Sequence, residues 1–260
     1  MDWLYTISGF AVGFIVGVTG VGGGSLMTPL LVLVFGIAPV TAVGTDLLYA
    51  AFTKMGGSWV HSQRGTVDWK VVKLLASGSL PAALLSMALL RYLALDPTSL
   101  KSLINTVLSA ALLLTAIALL FKPYLQNLGR RKNGTVYELQ AHHLPVATIL
   151  TGAILGTLVT ISSVGAGALV VVVLLFLYPR IPTSKIVGTD IAHAVPLTLV
   201  AGLGHVALGT VNFGLLGSLL LGSLPGICLG SHLGIKIPDH ILRPTLATML
   251  MLIGGKLIIS

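Results

Sequence analysis

A four-residue motif, Val-Gly-Thr-Asp, occurs twice within strongly apolar sequence, and this duplication limits the possible folds more than any other feature. It covers residues 43–46 and returns at 187–190, a spacing of 144 positions. The same spacing relates His61 to His205, Gly65-Thr66-Val67 to Gly209-Thr210-Val211, and Ser79-Leu80-Pro81 to Ser223-Leu224-Pro225. A spacing of 143 relates Val21-Gly22-Gly23-Gly24 to Val164-Gly165-Ala166-Gly167. The chain is therefore predicted to be a tandem duplication of one structural unit.

The composition indicates a membrane protein. Of the 260 residues, 55% are hydrophobic and 8% are charged, whereas soluble domains carry about 25% charged residues. Apolar stretches of about 20 residues, the length of a helix that crosses the hydrocarbon core, recur along the chain. The fold class is therefore predicted to be all-α and polytopic, with the lipid bilayer as its surroundings. The net charge of +8 does not indicate a nucleic-acid partner, because the basic residues lie at the ends of predicted helices.

Each copy is predicted to contain a glycine-broken helical hairpin followed by three transmembrane helices. The apolar segments 3–35 and 144–177 are each interrupted by a glycine-rich tip, and their arms are shorter than the roughly 20 residues of a full crossing. The spans are expected at 40–62, 67–90 and 99–121, and again at 183–206, 211–231 and 239–258. The first repeat would occupy 1–121, a polar linker 122–143, and the second repeat 144–260.

The odd number of spans predicts that the second repeat is inverted in the membrane relative to the first, because the hairpin returns the chain to its starting side. If the turn at Arg64 is cytoplasmic, only Arg91, Lys101 and Lys256 lie outside, with Lys54 inside a span. Eleven basic residues then lie inside: Arg64, Lys70, Lys73, Lys122, Arg130, Arg131, Lys132, Arg180, Lys185, Lys236 and Arg243. This bias predicts a cytoplasmic linker and external termini.

The two hairpin tips are the candidate substrate site. Glycine lets a ligand approach main-chain amides closely, and a helix that starts after the tip directs its unpaired N–H groups and positive dipole end at an anion. The candidate substrate-binding residues are Gly20, Gly22, Gly23, Gly24, Ser25, Ser162, Ser163, Gly165, Gly167, Thr45 and Thr189. The alternative is that these small residues only allow helices to pack closely.

Buried acids and histidines are the candidates for coupling to a proton or cation. An acid within a span is costly, so Asp46 and Asp190 are treated as functional, with helix capping as the alternative. His61 and His205 could relay protons or could cap helix ends. His193 lies three residues after Asp190 and could hydrogen-bond to it. Lys54 could attract an anion, snorkel or form a salt bridge.

Several classes of protein are disfavoured by what the sequence lacks. Cys228 is the single cysteine, which excludes an internal disulfide, and the adjacent His142 and His143 are a weak metal pair. We expect neither a metal nor a cofactor. A phosphate-binding loop is absent, which disfavours ATP-driven transport. An enzyme is not expected: a membrane-embedded phosphatase of lipid-linked substrates would need clustered acids or an arginine within the spans. A passive anion channel would not need two intramembrane acids.

The chain resembles the sulfite exporter TauE/SafE family, also called the toluene sulfonate uptake permease family, over nearly its whole length. The likeness rests on 17–25, read Gly-Val-Thr-Gly-Val-Gly-Gly-Gly-Ser, on 42–45 and on 64–69, with their echoes in the second copy. It implies a permease of a bacterial-type inner membrane. The implied substrate is a small sulfur-containing anion such as sulfite, thiosulfate, sulfoacetate or another organosulfonate, moved by an ion gradient.

Together these features favour a secondary transporter that binds a small anion between inverted halves and works by alternating access. The expected partners are the anionic substrate and a coupling proton or cation. A homodimer is compatible with the sequence.

Overall fold

The computed structural model describes residues 3–19, 24–93, 96–131, 143–233 and 239–259, and the described chain forms ten helices. In the first copy these are α1 (Trp3–Thr19), α2 (Gly24–Leu33), α3 (Pro39–Gln63), α4 (Trp69–Leu93) and α5 (Pro97–Arg131). In the second copy they are α6 (Leu144–Ser162), α7 (Ala168–Leu177), α8 (Thr183–Ala207), α9 (Phe213–Leu233) and α10 (Asp239–Ile259). The all-helical prediction is confirmed. Each copy has its five helices in the predicted order, but the first arm of the second hairpin, α6, has 19 residues and is therefore longer than the short arm that was predicted.

Five helices of the described chain are long and apolar enough to cross a membrane: α4, α5 over Thr98–Phe121, α6, α8 and α9. Two predicted spans are absent from this set: α10, of which only Ala247–Leu257 is found, as a shorter apolar helix, and α3, although that helix has 25 residues. Its sequence includes Asp46 and Lys54, and both side chains are buried against other helices. The protein is therefore a multi-pass membrane protein in which one long helix is too polar to be recognised by its composition.

The predicted linker is partly helical. Helix α5 does not end at residue 121 but continues to Arg131: Lys122, Leu125, Gln126 and Arg130 are good helix formers, and only Pro123 and Gly129 in this stretch strongly oppose a helix. Residues 132–142, including His142, lie outside the described residues. The apolar part of α5 still ends at Phe121, so the predicted limit of the membrane span is correct while the predicted limit of the helix is wrong.

Equivalent helices of the two copies make equivalent contacts. Helix α1 packs on α9 and α6 packs on α4, while α3 packs on α8 and α5 on α10. Glycines make the first two contacts close: the Cα of Gly222 lies against the Thr6 carbonyl, and that of Gly78 lies against the Ile149 carbonyl, so neither site has room for a Cβ. Each of these four contacts thus joins a helix of one copy to a helix of the other.

The pairing of α3 with α8 places the two Val-Gly-Thr-Asp motifs in the centre of the bundle. Gly44, early in α3, lies against His205, late in α8, and Gly188, early in α8, lies against Thr66, just after α3. The two helices are consequently antiparallel. Their contact buries Asp46, Lys54, Asp190 and His193.

Candidate functional site

Asp46 is a fully buried carboxylate tied to both hairpins. Its Oδ2 accepts a hydrogen bond of 2.5 Å from the hydroxyl of Thr28 in α2 and one of 3.0 Å from the hydroxyl of Ser163 at the end of α6. Its Oδ1 has no hydrogen-bond partner in the described part of the chain. Each copy therefore contributes one hairpin hydroxyl to the same oxygen.

Helix capping does not explain the two acids. The residue that caps the start of α3 is Ala38, and the one that caps α8 is Pro182. Asp46 and Asp190 each lie about two turns into their helices, and the residues are 0% and 3% exposed. This observation removes the capping alternative.

Lys54 is buried beside the tip of the second hairpin. Its ammonium group donates a hydrogen bond to the carbonyl of Ala166, and it lies within electrostatic range of Asp190 and Asp46. Of the possible roles considered from the sequence, snorkelling to the interface is wrong, because the side chain is 7% exposed. The cluster thus combines one ammonium with two carboxyl groups inside the bundle.

The second hairpin tip has a backbone conformation that depends on its small residues. Gly165 and Gly167 have φ values of 113° and 149°, where a Cβ would be strained, and Ser163 has a left-handed φ of 58°. The hydroxyl of Ser162 donates to the Leu158 carbonyl at 2.7 Å and accepts from the Val164 amide at 3.2 Å. Ser162 therefore shapes the tip from within, whereas Ser163 contacts Asp46.

The first hairpin tip is described only at its edge. Gly20, Gly22 and Gly23 lie outside the described residues, as does the side chain of Ser25, and Gly24 is the first residue of α2. Their predicted contacts with substrate stay predictions. The nearest described polar group of this hairpin is Thr28, which binds Asp46 and which the sequence analysis did not single out.

Thr45 and Thr189 hold the ends of neighbouring helices. The hydroxyl of Thr45 accepts the amide hydrogen of Asn212 at 3.1 Å, and that of Thr189 accepts the amide hydrogen of Asp68 at 2.9 Å. Each bond fixes the start of a helix from the other copy. In this conformation both hydroxyls are engaged with backbone, and their predicted role in substrate binding stays a prediction.

His61 and His205 secure the turns that follow α3 and α8. The Nδ1 atoms lie 2.8 Å from the Thr66 hydroxyl and 2.9 Å from the Thr210 hydroxyl. His205 also contacts the Thr160 carbonyl through Nε2 at 3.0 Å. These bonds favour the helix-end alternative, and the predicted proton relay stays a prediction.

His193 points to α4. Its Nε2 is 2.8 Å from the hydroxyl of Ser79, and its Nδ1 has no hydrogen-bond partner among the described residues. The corresponding position in the first copy is Tyr49, which faces Ser223, the counterpart of Ser79. The repeated Ser-Leu-Pro motif was visible in the sequence, but nothing there indicated that its serines meet these two side chains.

Comparison with known proteins agrees with this architecture. The site lies within a multi-pass helical bundle, and the curated relatives are all named as probable membrane transporter proteins. The profile of the sulfite exporter TauE/SafE family matches residues 5–257, so the chain belongs to that family.

Three relatives show how evenly the likeness extends. YjnA of Bacillus subtilis is 38% identical over 97% of this chain and 98% of its own length. YdhB of the same organism is 24% identical over 94% and 97%. A protein of Methanocaldococcus jannaschii is 26% identical over 97% and 92%. The search of solved structures finds no match.

Proposed function

We propose that the protein is a secondary transporter of the inner membrane that moves a small sulfur-containing oxyanion by ion-coupled alternating access. Sulfite, thiosulfate, sulfoacetate and other organosulfonates form the substrate class, in line with the family's name. The observation that carries the proposal is the buried cluster of Asp46, Lys54 and Asp190 at the tip of the second hairpin.

An anion is the guest that this cluster suits. Lys54 supplies a positive charge beside the carbonyl of Ala166, and α7 begins at Ala168, two residues further along the chain. The first N–H groups of α7 lack partners within the helix, and its dipole places partial positive charge at this end. A bound oxyanion would accept hydrogen bonds from these amides and from the ammonium of Lys54.

Two buried carboxyl groups suit the coupling ion. Placing a charged acid in the membrane interior costs several kcal/mol unless it is compensated. Lys54 compensates one negative charge, so a second carboxyl group requires a proton or a cation in at least part of the transport cycle. Asp46 is a candidate for this role, because it is fully buried and its Oδ1 has no hydrogen-bond partner among the described residues.

Alternating access would follow from inverted copies. The antiparallel packing of α3 on α8 supports two halves that lie upside down relative to each other, as in other transporters built from inverted repeats. Rocking of one half against the other would open the cluster to each side in turn. We assign the linker to the cytoplasm and both termini to the external side on the distribution of basic residues.

Counterflow in proteoliposomes tests the function. Vesicles loaded with unlabelled sulfite should accumulate labelled sulfite transiently, because a carrier exchanges one substrate molecule for another. Thiosulfate, a sulfonate and acetate in the external buffer would rank the substrates by competition. Electrical conductance without counterflow would indicate a channel, and product release without flux would indicate an enzyme; either result contradicts the proposal.

A further inference from the structure

Two of the three basic residues predicted outside lie on the same cavity. Lys101 of α5 and Lys256 of α10 both line a space of about 750 Å³. Cations on the external side oppose the charge bias that orients membrane proteins, so these lysines do not serve to orient the chain. Because both line one cavity, we expect their function to lie there.

The cavity lies at one end of the bundle. Lys101 is near the start of α5 at Pro97, Lys256 is near the end of α10 at Ile259, and the turn before α3 completes the wall. In the orientation proposed above, all three are external. Apart from Asn105, the remaining described wall is apolar: Val32, Leu33, Ile37, Val40, Leu100 and Leu257.

A second cavity of about 540 Å³ shares Lys101, Asn105 and Leu257 with the first and extends along α5 to Ser109. The Oδ1 of Asn105 and the hydroxyl of Ser109 are buried without hydrogen-bond partners among the described residues, and Ser109 is 1% exposed. A buried polar atom without a partner costs about 1–3 kcal/mol. The Ser109 hydroxyl can donate to an anion or to water, whereas the Asn105 Oδ1 is an acceptor and suits water.

No acidic residue lies among the described residues that line either cavity. The nearest acid on the same segment, Asp96, caps α5 by accepting the amide hydrogens of Thr98 and Ser99 at 3.1 Å and 3.2 Å. A hydrogen bond from the side chain of Ser99, followed by those from the Ser99 and Thr98 amides, lowers the pKa of Asp96 below its ordinary value. The two lysines thus determine the sign of the charge within the cavities.

A layer of packed side chains separates the first cavity from the central cluster. Val40 lines the cavity, and Asp46 follows six residues later on α3, about 9 Å along the helix axis at 1.5 Å per residue. Between them, Val43 is fully buried and belongs to the same core as Ile104 of α5. Packed side chains therefore lie along α3 between the cavity and the buried acid in this conformation.

We propose that Lys101 and Lys256, with the hydroxyl of Ser109, form an external vestibule that collects small oxyanions for the central site. This inference rests on the proposed function and adds where the anion waits before the packed side chains of Val43 and Ile104 move apart. Two like charges above apolar walls raise the local concentration of anions, and salt weakens the effect by screening.

The test compares the two faces of the membrane. The variants are Lys101→Gln, Lys256→Gln and their double, assayed for sulfite transport in right-side-out and inside-out vesicles. The double variant should raise KM for external sulfite about two- to tenfold with kcat unchanged, and high salt should shrink the difference. KM for internal sulfite should stay the same.

Two controls keep the outcome specific. Arg91→Gln removes a predicted external charge that lines neither cavity, and a Lys101→Arg/Lys256→Arg double keeps both charges; both should behave like wild type. An unchanged external KM in the Gln double, or an equal rise at both faces, overturns the vestibule. If wild type itself fails to transport, the proposed function fails instead.

The phosphate of an anionic lipid shares the chemistry of a small oxyanion, so the test must show whether the cavity binds the substrate or a lipid headgroup. Proteoliposomes of phosphatidylcholine alone and with phosphatidylglycerol provide that comparison. A vestibule for substrate predicts the same rise in KM in both. A rise confined to vesicles with phosphatidylglycerol would show that the cavity holds lipid headgroups, which contradicts the proposal.

Discussion

At the scale of single residues, the central cluster is asymmetric, although its two acids lie at equivalent positions of the two copies. Asp46 and Asp190 occupy equivalent places, but the ammonium is supplied only once, by Lys54, whose counterpart is Thr198 bonded to the Ala194 carbonyl at 2.8 Å. The pair His193 and Tyr49 differs in the same way. The duplication places equivalent residues in the two copies, and the different side chains at these positions give each copy its own charged and hydrogen-bonding groups.

Replacing Asp46 with Asn tests coupling. The substitution keeps the volume and still accepts hydrogen bonds from Thr28 and Ser163, but it removes the charge that a proton or cation would balance. We expect gradient-driven accumulation of sulfite to be lost while counterflow persists. Asp190→Asn should act in the same direction. Asp96→Asn is the control, because Asn also caps helices well, and it should retain both activities. Normal dependence on external pH in both Asp46→Asn and Asp190→Asn would reject the coupling role.

Replacing Lys54 with Gln tests anion binding. The measurement is the rise in melting temperature that sulfite causes in the purified protein. Losing a charge-assisted hydrogen bond should weaken sulfite binding at least about tenfold. The loss also leaves Asp190 without its countercharge, so stability should fall as well. The double variant Lys54→Gln/Asp190→Asn separates the two effects: stability should recover and binding should not. Recovery of both would assign Lys54 a structural role only, provided that Asp190→Asn alone still binds sulfite.

At the scale of helices, close contacts between α1 and α9 and between α4 and α6 depend on glycine. Gly13 lies so near α9 that an added Cβ would come within 2.5 Å of the Ser223 carbonyl oxygen. Small residues of this kind let membrane helices pack by van der Waals contact where no hydrophobic effect drives them together. The sequence analysis assigned this function to the glycine-rich tips as an alternative, and the structure places it on other glycines within the helices.

Substituting one of these glycines tests the packing. Gly222→Ala would force the added methyl group into the Thr6 carbonyl, whereas Gly217→Ala on the same helix meets no atom within 4 Å. We expect Gly222→Ala to lower stability by about 1–3 kcal/mol through overpacking, and Gly217→Ala to leave it unchanged. Thermal unfolding in detergent measures both. Equal melting temperatures for the two variants would contradict the close contact.

Features set by neighbouring residues in the chain could be predicted from the sequence, whereas contacts between distant residues could not. The arms of the hairpins and the order of the spans follow from local runs of apolar residues broken by glycine, and the structure has them within a few residues of the predicted limits, except that α5 continues to Arg131. The bond from Thr28 to Asp46 joins residues on different helices, and that from Ser163 to Asp46 joins different copies. Apolar periodicity carries no information on such pairings, so the composition of the cluster became visible only in three dimensions.

At the scale of the whole molecule, the account rests on two copies that pack through equivalent helices. Helix α1 packs on α9 and α6 packs on α4, so the helices of each copy pack mainly on those of the other copy. The antiparallel crossing of α3 and α8 brings both acids to one interior. Inversion of one copy in the membrane is the arrangement under which these contacts, the odd number of spans and the distribution of basic residues all agree.

The most direct test of that inversion is the sidedness of two equivalent residues. Gln63 ends α3, Ala207 ends α8, and both are exposed; each would be replaced singly by Cys in a Cys228→Ser background, since Cys228 is itself exposed. A membrane-impermeant maleimide applied to intact cells should label Ala207→Cys and not Gln63→Cys, and inside-out vesicles should give the reverse. Labelling of both positions from the same face would contradict inverted halves and, with them, the transport cycle proposed for this protein.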